Sequence, residues 1–229
     1  GGGEDTVFGG AGDDEINIYN ESNSRIVGGE GEDTLQVLAP EGTASYILGK
    51  ADGVVNHLVG GQGDDTLIGG IGTDIYEFNV GDGADTIQDI DSFNYDSSAA
   101  TVDRIVLGEG ILESDLSIKR EGDNLVLIIG DENLGDSMTI IDAYINTKAE
   151  IEEIVLFDES VIAGDAIFAL PMHSTSGDDI ITGSAFSEVI DGGAGNDVIT
   201  TGGGEDTVFG GAGDDEISIY NESNSRIVG

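Results

Sequence analysis

Cysteine is absent from this 229-residue chain, so neither disulfides nor thiolate metal sites are available. That suits a secreted chain held together by ions instead of cross-links. Histidine occurs only twice, as His57 in an apolar strand-like run and His173 after Pro171. With no His-Glu-x-x-His helix, a catalytic zinc site has no familiar way to assemble, and both histidines read as packing or surface residues. Basic residues are scarce too: 7 Lys and Arg stand against 47 Asp and Glu, a net charge of −40. Such a polyanion is a poor partner for nucleic acid, and anionic membrane surfaces are disfavoured unless a divalent cation bridges them. The longest aliphatic run, residues 125–129, is far too short to cross a bilayer, and no signal peptide is present, although the chain reads as an excerpt.

Catalytic motifs are missing in the same way. Gly-x-Ser-x-Gly and Asp-x-x-His do not occur. Gly135-Asp136-Ser137 resembles the opening of a lipase-like block, but its apolar neighbours read as a turn entering a strand. An EF-hand fails at residues 89–93, where the later Asn/Asp and Gly of that loop are lacking. No Asp-Pro bond offers a site for acid-labile or ion-triggered cleavage. The chain is expected not to be an enzyme.

What is present is a nine-residue phrase, Gly-Gly-x-Gly-x-Asp-x-(apolar)-x. Complete copies start at Gly9, Gly28, Gly60, Gly69, Gly192 and Gly210, and worn copies at Thr201, Val80, Ser174 and Gly183. Clustered glycines permit a tight turn with positive φ and close backbone approach. The last three residues then form a short strand whose apolar residue points inward. The turn glycines are Gly9, Gly10 and Gly12; Gly28, Gly29 and Gly31; Gly60, Gly61 and Gly63; Gly69, Gly70 and Gly72; Gly81 and Gly83; Gly177; Gly192, Gly193 and Gly195; Gly202 and Gly204; and Gly210, Gly211 and Gly213. The acids at the sixth position are Asp5, Asp14, Asp33, Asp65, Asp74, Asp85, Asp179, Asp197, Asp206 and Asp215, with Glu188 substituting in a worn copy.

This pattern resembles the RTX, or haemolysin-type, calcium-binding nonapeptide repeat. The resemblance implies an all-β fold of right-handed parallel β-roll blocks, in which two successive turns on one side share each Ca²⁺. Calcium is a hard ion that takes about 6–8 oxygens at about 2.3–2.6 Å, and bare glycine carbonyls with a turn carboxylate supply them. The glycines and acids just named are therefore the expected calcium ligands and turn formers, several ions in all. The resemblance also implies export by a type I system and an extracellular or cell-surface location. The charge agrees. A load of −40 should prevent compaction, yet 38% of the residues are apolar and sit in the repeat's period. Cations binding the stacked carboxylates resolve that conflict, so folding is expected to follow calcium binding.

The expected organisation is a β-roll block at 1–37, an irregular β insertion at 38–59, a second block at 60–88, a β-rich region at 89–173 and a third block at 174–229. Residues 18–27 read as a coil that keeps a strand at 25–27 and forfeits a calcium site. Strands are expected at 45–48, 54–59, 104–107, 116–120, 125–129 and 138–144. Turns are expected at 50–53 and at Gly122-Asp123, with polar loops at 91–102 and 130–135. Residues 150–157 fit helix or strand, and 164–170 a short helix. Gly81-Asp82-Gly83-Ala84-Asp85, Leu107-Gly108-Glu109-Gly110 and Gly122-Asp123-Asn124 make residues 78–160 similar to the haemolysin-type calcium-binding related domain that neighbours such blocks.

Residues 1–28 recur as 202–229 at an offset of 201 (202 minus 1), with Asn17 replaced by Ser218 as the one change. Tandem duplication of a long unit explains this, so the parent is expected to be a long array, cut here inside a roll with uncapped coils at both ends. Threonines after the acid (Thr6, Thr34, Thr66, Thr86 and Thr207) make no flat two-column face for ice and follow from β-branched strand preference. Two function classes remain. One is a calcium-stiffened extender of a large secreted or surface adhesin-like protein, its partners being Ca²⁺, neighbouring repeats and an unknown surface ligand. The other is a secretion and folding appendage of an exoenzyme or toxin. Near-identical long repeats favour the first. A sugar-binding role for residues 89–170 rests only on Tyr95 and Tyr144.

Overall fold

The structure, a computed structural model, describes residues 5–19, 24–38, 55–69, 73–89, 102–130, 135–144, 151–220 and 225–228. Its strands alternate between two facing sheets. The first contains, in order, β1 (Asp5–Ala11), β3 (Ser24–Glu30), β5 (Val55–Gln62), β7 (Thr73–Phe78), β9 (Arg104–Leu107), β13 (Glu153–Val155) and β14 (Val161–Ala163). The second contains β2 (Glu15–Tyr19), β4 (Thr34–Leu38), β6 (Thr66–Ile68), β8 (Ala84–Gln88), β12 (Ser137–Ile140), β11 (Asn124–Ile129) and β10 (Leu116–Glu121). Successive coils pair in parallel; among the described residues only the β10–β11–β12 meander and the β13–β14 pair are antiparallel. A second, smaller roll follows the same plan. Strands β15 (Ile180–Thr182), β17 (Val198–Thr200) and β19 (Glu216–Ser218) form one parallel sheet, and β16 (Val189–Asp191), β18 (Thr207–Phe209) and β20 (Arg226–Val228) the other. The all-β parallel roll is thus the observed fold.

Inward apolar residues stack on their neighbours in register, one continuous column to each sheet, and strands such as β7 and β9 bury a second residue, Phe78 and Leu107. In the first sheet this column is Ile26, Leu58, Tyr76, Ile105 and Ile154. In the second it is Leu35, Leu67, Ile87 and Ile140. All nine are buried, and burying one such side chain contributes about 1.5–3 kcal/mol. A repeat cannot fold alone, because the inward apolar residues of one coil are covered only when the next coil stacks on them.

Coil length varies while register does not. In the second roll equivalent residues are 18 apart, two nonapeptides per coil, until the last step, from Asp206 to Ser225, which is 19. In the first roll the spacings are 19, 32 and 20. The parallel register of the described strands is kept whatever the coil length. The two sheets consequently run through the divisions expected at 37, 59 and 88: β3 pairs with β5 across the insertion, and β7 pairs with β9 beyond the last nonapeptide of that block. Residues 104–107, 116–121 and 124–129 form the expected strands, the last two joined at Gly122-Asp123 by a hairpin turn, whereas the strand expected at 138–144 spans only Ser137–Ile140 and gives way to a turn at 141–144. The ambiguous segment 150–157 supplies β13, and α1 (Asp165–Phe168) lies in the expected short helix. The strand expected at 45–48, the turn at 50–53 and most of the loops at 91–102 and 130–135 lie outside the described residues.

Phe168 ties the two rolls together. Its ring stacks on Phe186 at 4.3 Å and meets Tyr144 edge-on at 5.3 Å. Arg120 lies 4.8 Å over the Tyr144 ring and donates from Nη1 to the Gly183 carbonyl at 2.8 Å.

Candidate metal centre

In the repeat, the sixth and eighth positions are two residues apart, so on a strand they share a face. The apolar eighth residue points into the core, and the acid is drawn in with it. Asp33, Asp65, Asp74, Asp85, Asp197, Asp206 and Glu188 are all buried, while Thr34, Thr66 and Thr86 between acid and core residue face outward. These acids form rows along the edges of the rolls, in which neighbours are at least 18 residues apart in sequence.

The first row is Asp14, Asp33, Asp65 and Asp85. Each Oδ1 accepts the backbone N–H of the acid in the preceding coil: Asp14 N–H to Asp33 at 2.8 Å, Asp33 to Asp65 at 2.6 Å, Asp65 to Asp85 at 3.0 Å. The smaller roll repeats this with Asp179 to Asp197 at 2.9 Å and Asp197 to Asp215 at 3.1 Å. Its other edge holds Glu188, whose N–H donates to Asp206 at 3.2 Å, and Asp206, whose N–H donates to the Ser225 hydroxyl at 3.1 Å. One oxygen is thereby used in Asp33, Asp65, Asp85, Asp197, Asp206 and Asp215, and Glu188 spends Oε1 on the Ser184 N–H at 2.7 Å. The second is buried and without a hydrogen-bond partner in Asp14, Asp33, Asp65, Asp85, Asp197, Asp206 and, as Oε2, in Glu188. A buried carboxylate oxygen with no donor is costly unless a cation meets it.

The space beside each first-position glycine shows where such a cation fits. A Cβ on Gly9 would lie 2.5 Å from Asp14 Oδ2 and 2.7 Å from the Gly28 carbonyl oxygen of the next coil. Gly28 stands in the same way between Asp33 Oδ2 and the Gly60 carbonyl, and Gly192 between Asp197 Oδ2 and the Gly210 carbonyl. Carboxylate and peptide oxygens converge where only glycine leaves room. These are hard, anionic or carbonyl donors, which suit Ca²⁺ and not a soft metal. The second and fourth glycines serve the stacking itself: Gly61 and Gly63, at φ +109 and +138, lie directly on the Gly29 and Gly31 carbonyls.

The electrostatics point the same way. Burial, reinforced by the neighbouring acids, pushes Asp65 up to about 6 and Asp85 to about 8. Burial likewise pushes Glu188 to about 7, against the lowering effect of its Ser184 hydrogen bonds. Ions on these oxygens would reverse that desolvation penalty.

One expected ligand behaves differently, and three lie outside what the structure describes. Asp179, on the first coil of the smaller roll, already has Thr175 N–H and Oγ1 on its two oxygens, at 2.8 and 3.0 Å. The Asp5 side chain, and Gly70 and Gly72, lie outside the described residues. Ser24, in the stretch expected to forfeit a site, occupies the acid's place in its coil.

Other residues join the rows without a nonapeptide around them. The opposite edge of the larger roll runs Ser24, Asn56, Asp74, Asp103, Glu152. Asn56 Nδ2 donates to Asp74 at 2.7 Å, Asp74 N–H to Asp103 at 2.7 Å, and Asp103 N–H to Glu152 at 2.7 Å. Asp74, Asp89 and Asp103 are buried and offer oxygens within 4.8 Å of one another, with Tyr76 donating to Asp89 at 2.8 Å. Asp89, Asp103 and Glu152 were not foreseen. The triplet acid–outward residue–apolar residue would have found two of them, since Asp103-Arg104-Ile105 and Glu152-Glu153-Ile154 match Asp65-Thr66-Leu67 with the glycines removed. Fifth-position side chains form a further rail running the opposite way. Asp13 accepts from Glu32 N–H at 3.1 Å, Asp64 from Ala84 N–H at 2.9 Å and Asp178 from Asn196 N–H at 2.7 Å.

A parallel β-roll with carboxylate rows along its turns defines a calcium-binding solenoid. The RTX calcium-binding nonapeptide repeat matches this chain in four copies, at residues 1–17, 52–87, 173–199 and 182–217. The chain is an RTX repeat protein, and its repeats bind Ca²⁺. A search among curated proteins gave no match. No helix among the described residues is long and apolar enough to cross a membrane.

Proposed function

We propose that this chain is a calcium-stiffened structural module, an extender within a large secreted or cell-surface adhesin-like protein, and that it acts without catalysis. Asp14, Asp33, Asp65, Asp85, Glu188, Asp197 and Asp206 hold the ions through their second carboxylate oxygens, together with carbonyls of the adjoining turns. The observation that carries this is the set of buried, donor-less oxygens aligned coil upon coil. Inside a low-calcium cell, unscreened carboxylates keep the chain extended. At extracellular calcium each ion removes repulsion and joins two turns, which makes binding cooperative. The near-identical segments 1–28 and 202–229 support a tandem extender over an enzyme's appendage. Ser137 opens β12, and Asp136 spends Oδ2 on the Gly81 N–H at 2.8 Å, so that motif reads as a turn support. Circular dichroism with calcium and with chelator tests the proposal. Strong β signal should appear only with calcium, and a chain already β-rich in chelator would refute it.

A further inference from the structure

The structure contains the duplicated segment twice, in two different surroundings. As residues 1–28 it is followed by further coils: among the described residues β1 pairs with β3, which passes on to β5. As residues 202–229 it follows other coils: among the described residues β18 pairs with β16 on one side and with β20 on the other. The pairing inside the segment is the same both times. Thr6, Val7 and Phe8 oppose Arg25, Ile26 and Val27, and Thr207, Val208 and Phe209 oppose Arg226, Ile227 and Val228.

Burial in the two copies is complementary. Val208 is 0% exposed, covered by the coil before it, while its counterpart Val7 is only partly buried. Ile26 is 0% exposed, covered by the coil after it, while its counterpart Ile227 is 51% exposed. Each copy is open where the other is closed. The hydrogen-bonded rows show the same split: Asp215 ends the row Asp179–Asp197–Asp215, and its counterpart Asp14 begins the row Asp14–Asp33–Asp65–Asp85.

Resting on the tandem-extender reading, we propose that the smaller roll of one 201-residue unit and the larger roll of the next join through this shared segment into one unbroken roll. The surface that β19 and β20 present is filled by the next unit's β4 and β5, whose pairing partners β2 and β3 are the same residues as β19 and β20. The carboxylate row then runs without a gap from Asp179 and Asp197, through Asp215, into the next unit's Asp33, Asp65 and Asp85. The joint is a calcium-bridged continuation of the solenoid and not a hinge, so ions set the stiffness between units as well as within them.

The pairing fixes a distance. Thr200 opposes Ser218, and Asn17, the counterpart of Ser218, opposes Gln36. Thr200 of one unit and Gln36 of the next therefore stand two strands apart on the same outward face, about 10 Å between backbones. Because the chain has no cysteine, T200C in the first unit and Q36C in the second of a two-unit chain can be spin-labelled uniquely. With saturating calcium the doubly labelled chain should show strong dipolar broadening that singly labelled controls lack, and chelator should abolish it. Calcium-induced β structure without broadening would overturn the continuous joint and leave the calcium module standing. No calcium-induced β structure in the unlabelled two-unit chain would bring down both.

Discussion

Alanine placed at one position of the duplicated repeat should damage one copy and leave the other almost intact. Gly10 and Gly211 are the same residue of the same local sequence, and both have positive φ, +120 and +94. A Cβ on Gly10 meets nothing within 4 Å, whereas on Gly211 it collides with the Gly193 carbonyl oxygen. Gly10→Ala therefore carries only the backbone penalty, about 1–2 kcal/mol, partly offset by about 0.4–1 kcal/mol from a stiffer unfolded chain. Gly211→Ala adds overpacking against backbone that cannot swing aside, about 1–3 kcal/mol more. That excess corresponds to on the order of a ten- to hundred-fold rise in local opening. Hydrogen exchange in saturating calcium reads it directly, since the Ala212 N–H donates to that Gly193 oxygen at 2.8 Å. Equal acceleration around residues 10 and 211 would refute the stacking argument.

Asp197→Ala should weaken calcium binding in the smaller roll yet spare the row containing Asp65 and Asp85, which residue-resolved calcium titration by NMR would separate. Acid should act oppositely on the two states. The raised values of Asp65 (about 6), Glu188 (about 7) and Asp85 (about 8) mean the metal-free roll is most stable below the unfolded carboxylate range and loses stability as pH rises to about 8. Calcium requires the ionised forms, so its affinity should climb between about pH 6 and 8, with proton release detectable by calorimetry in buffers of different ionisation enthalpy; a flat profile would contradict the buried-row geometry. Leu67→Ala, emptying a fully buried column position, should cost about 2–5 kcal/mol in thermal or denaturant unfolding with calcium present. Thr66→Ala on the outward face should stay within about 0.5 kcal/mol.

The sequence read in isolation determined the local geometry. Glycines at fixed offsets set the turns, the acid and the apolar residue two positions later shared a face, and the nine-residue period named the roll and its cation. Those features depend on neighbours along the chain, so residues such as Asp33, Asp65 and Asp197 were legible as candidates. Asp103, Glu152 and Asp89 were not, because no glycine turn announces them; their places follow from β9, β13 and the end of β8 pairing onto coils tens of residues away. Asp179 matched the motif yet has its oxygens occupied by Thr175, an outcome of standing on a roll's first coil. The duplicated segment makes the division plainest. Nearly identical residues bury Ile26 and expose Ile227, because inward-facing groups on a roll are covered by the adjacent coil, and that coil is supplied by distant sequence.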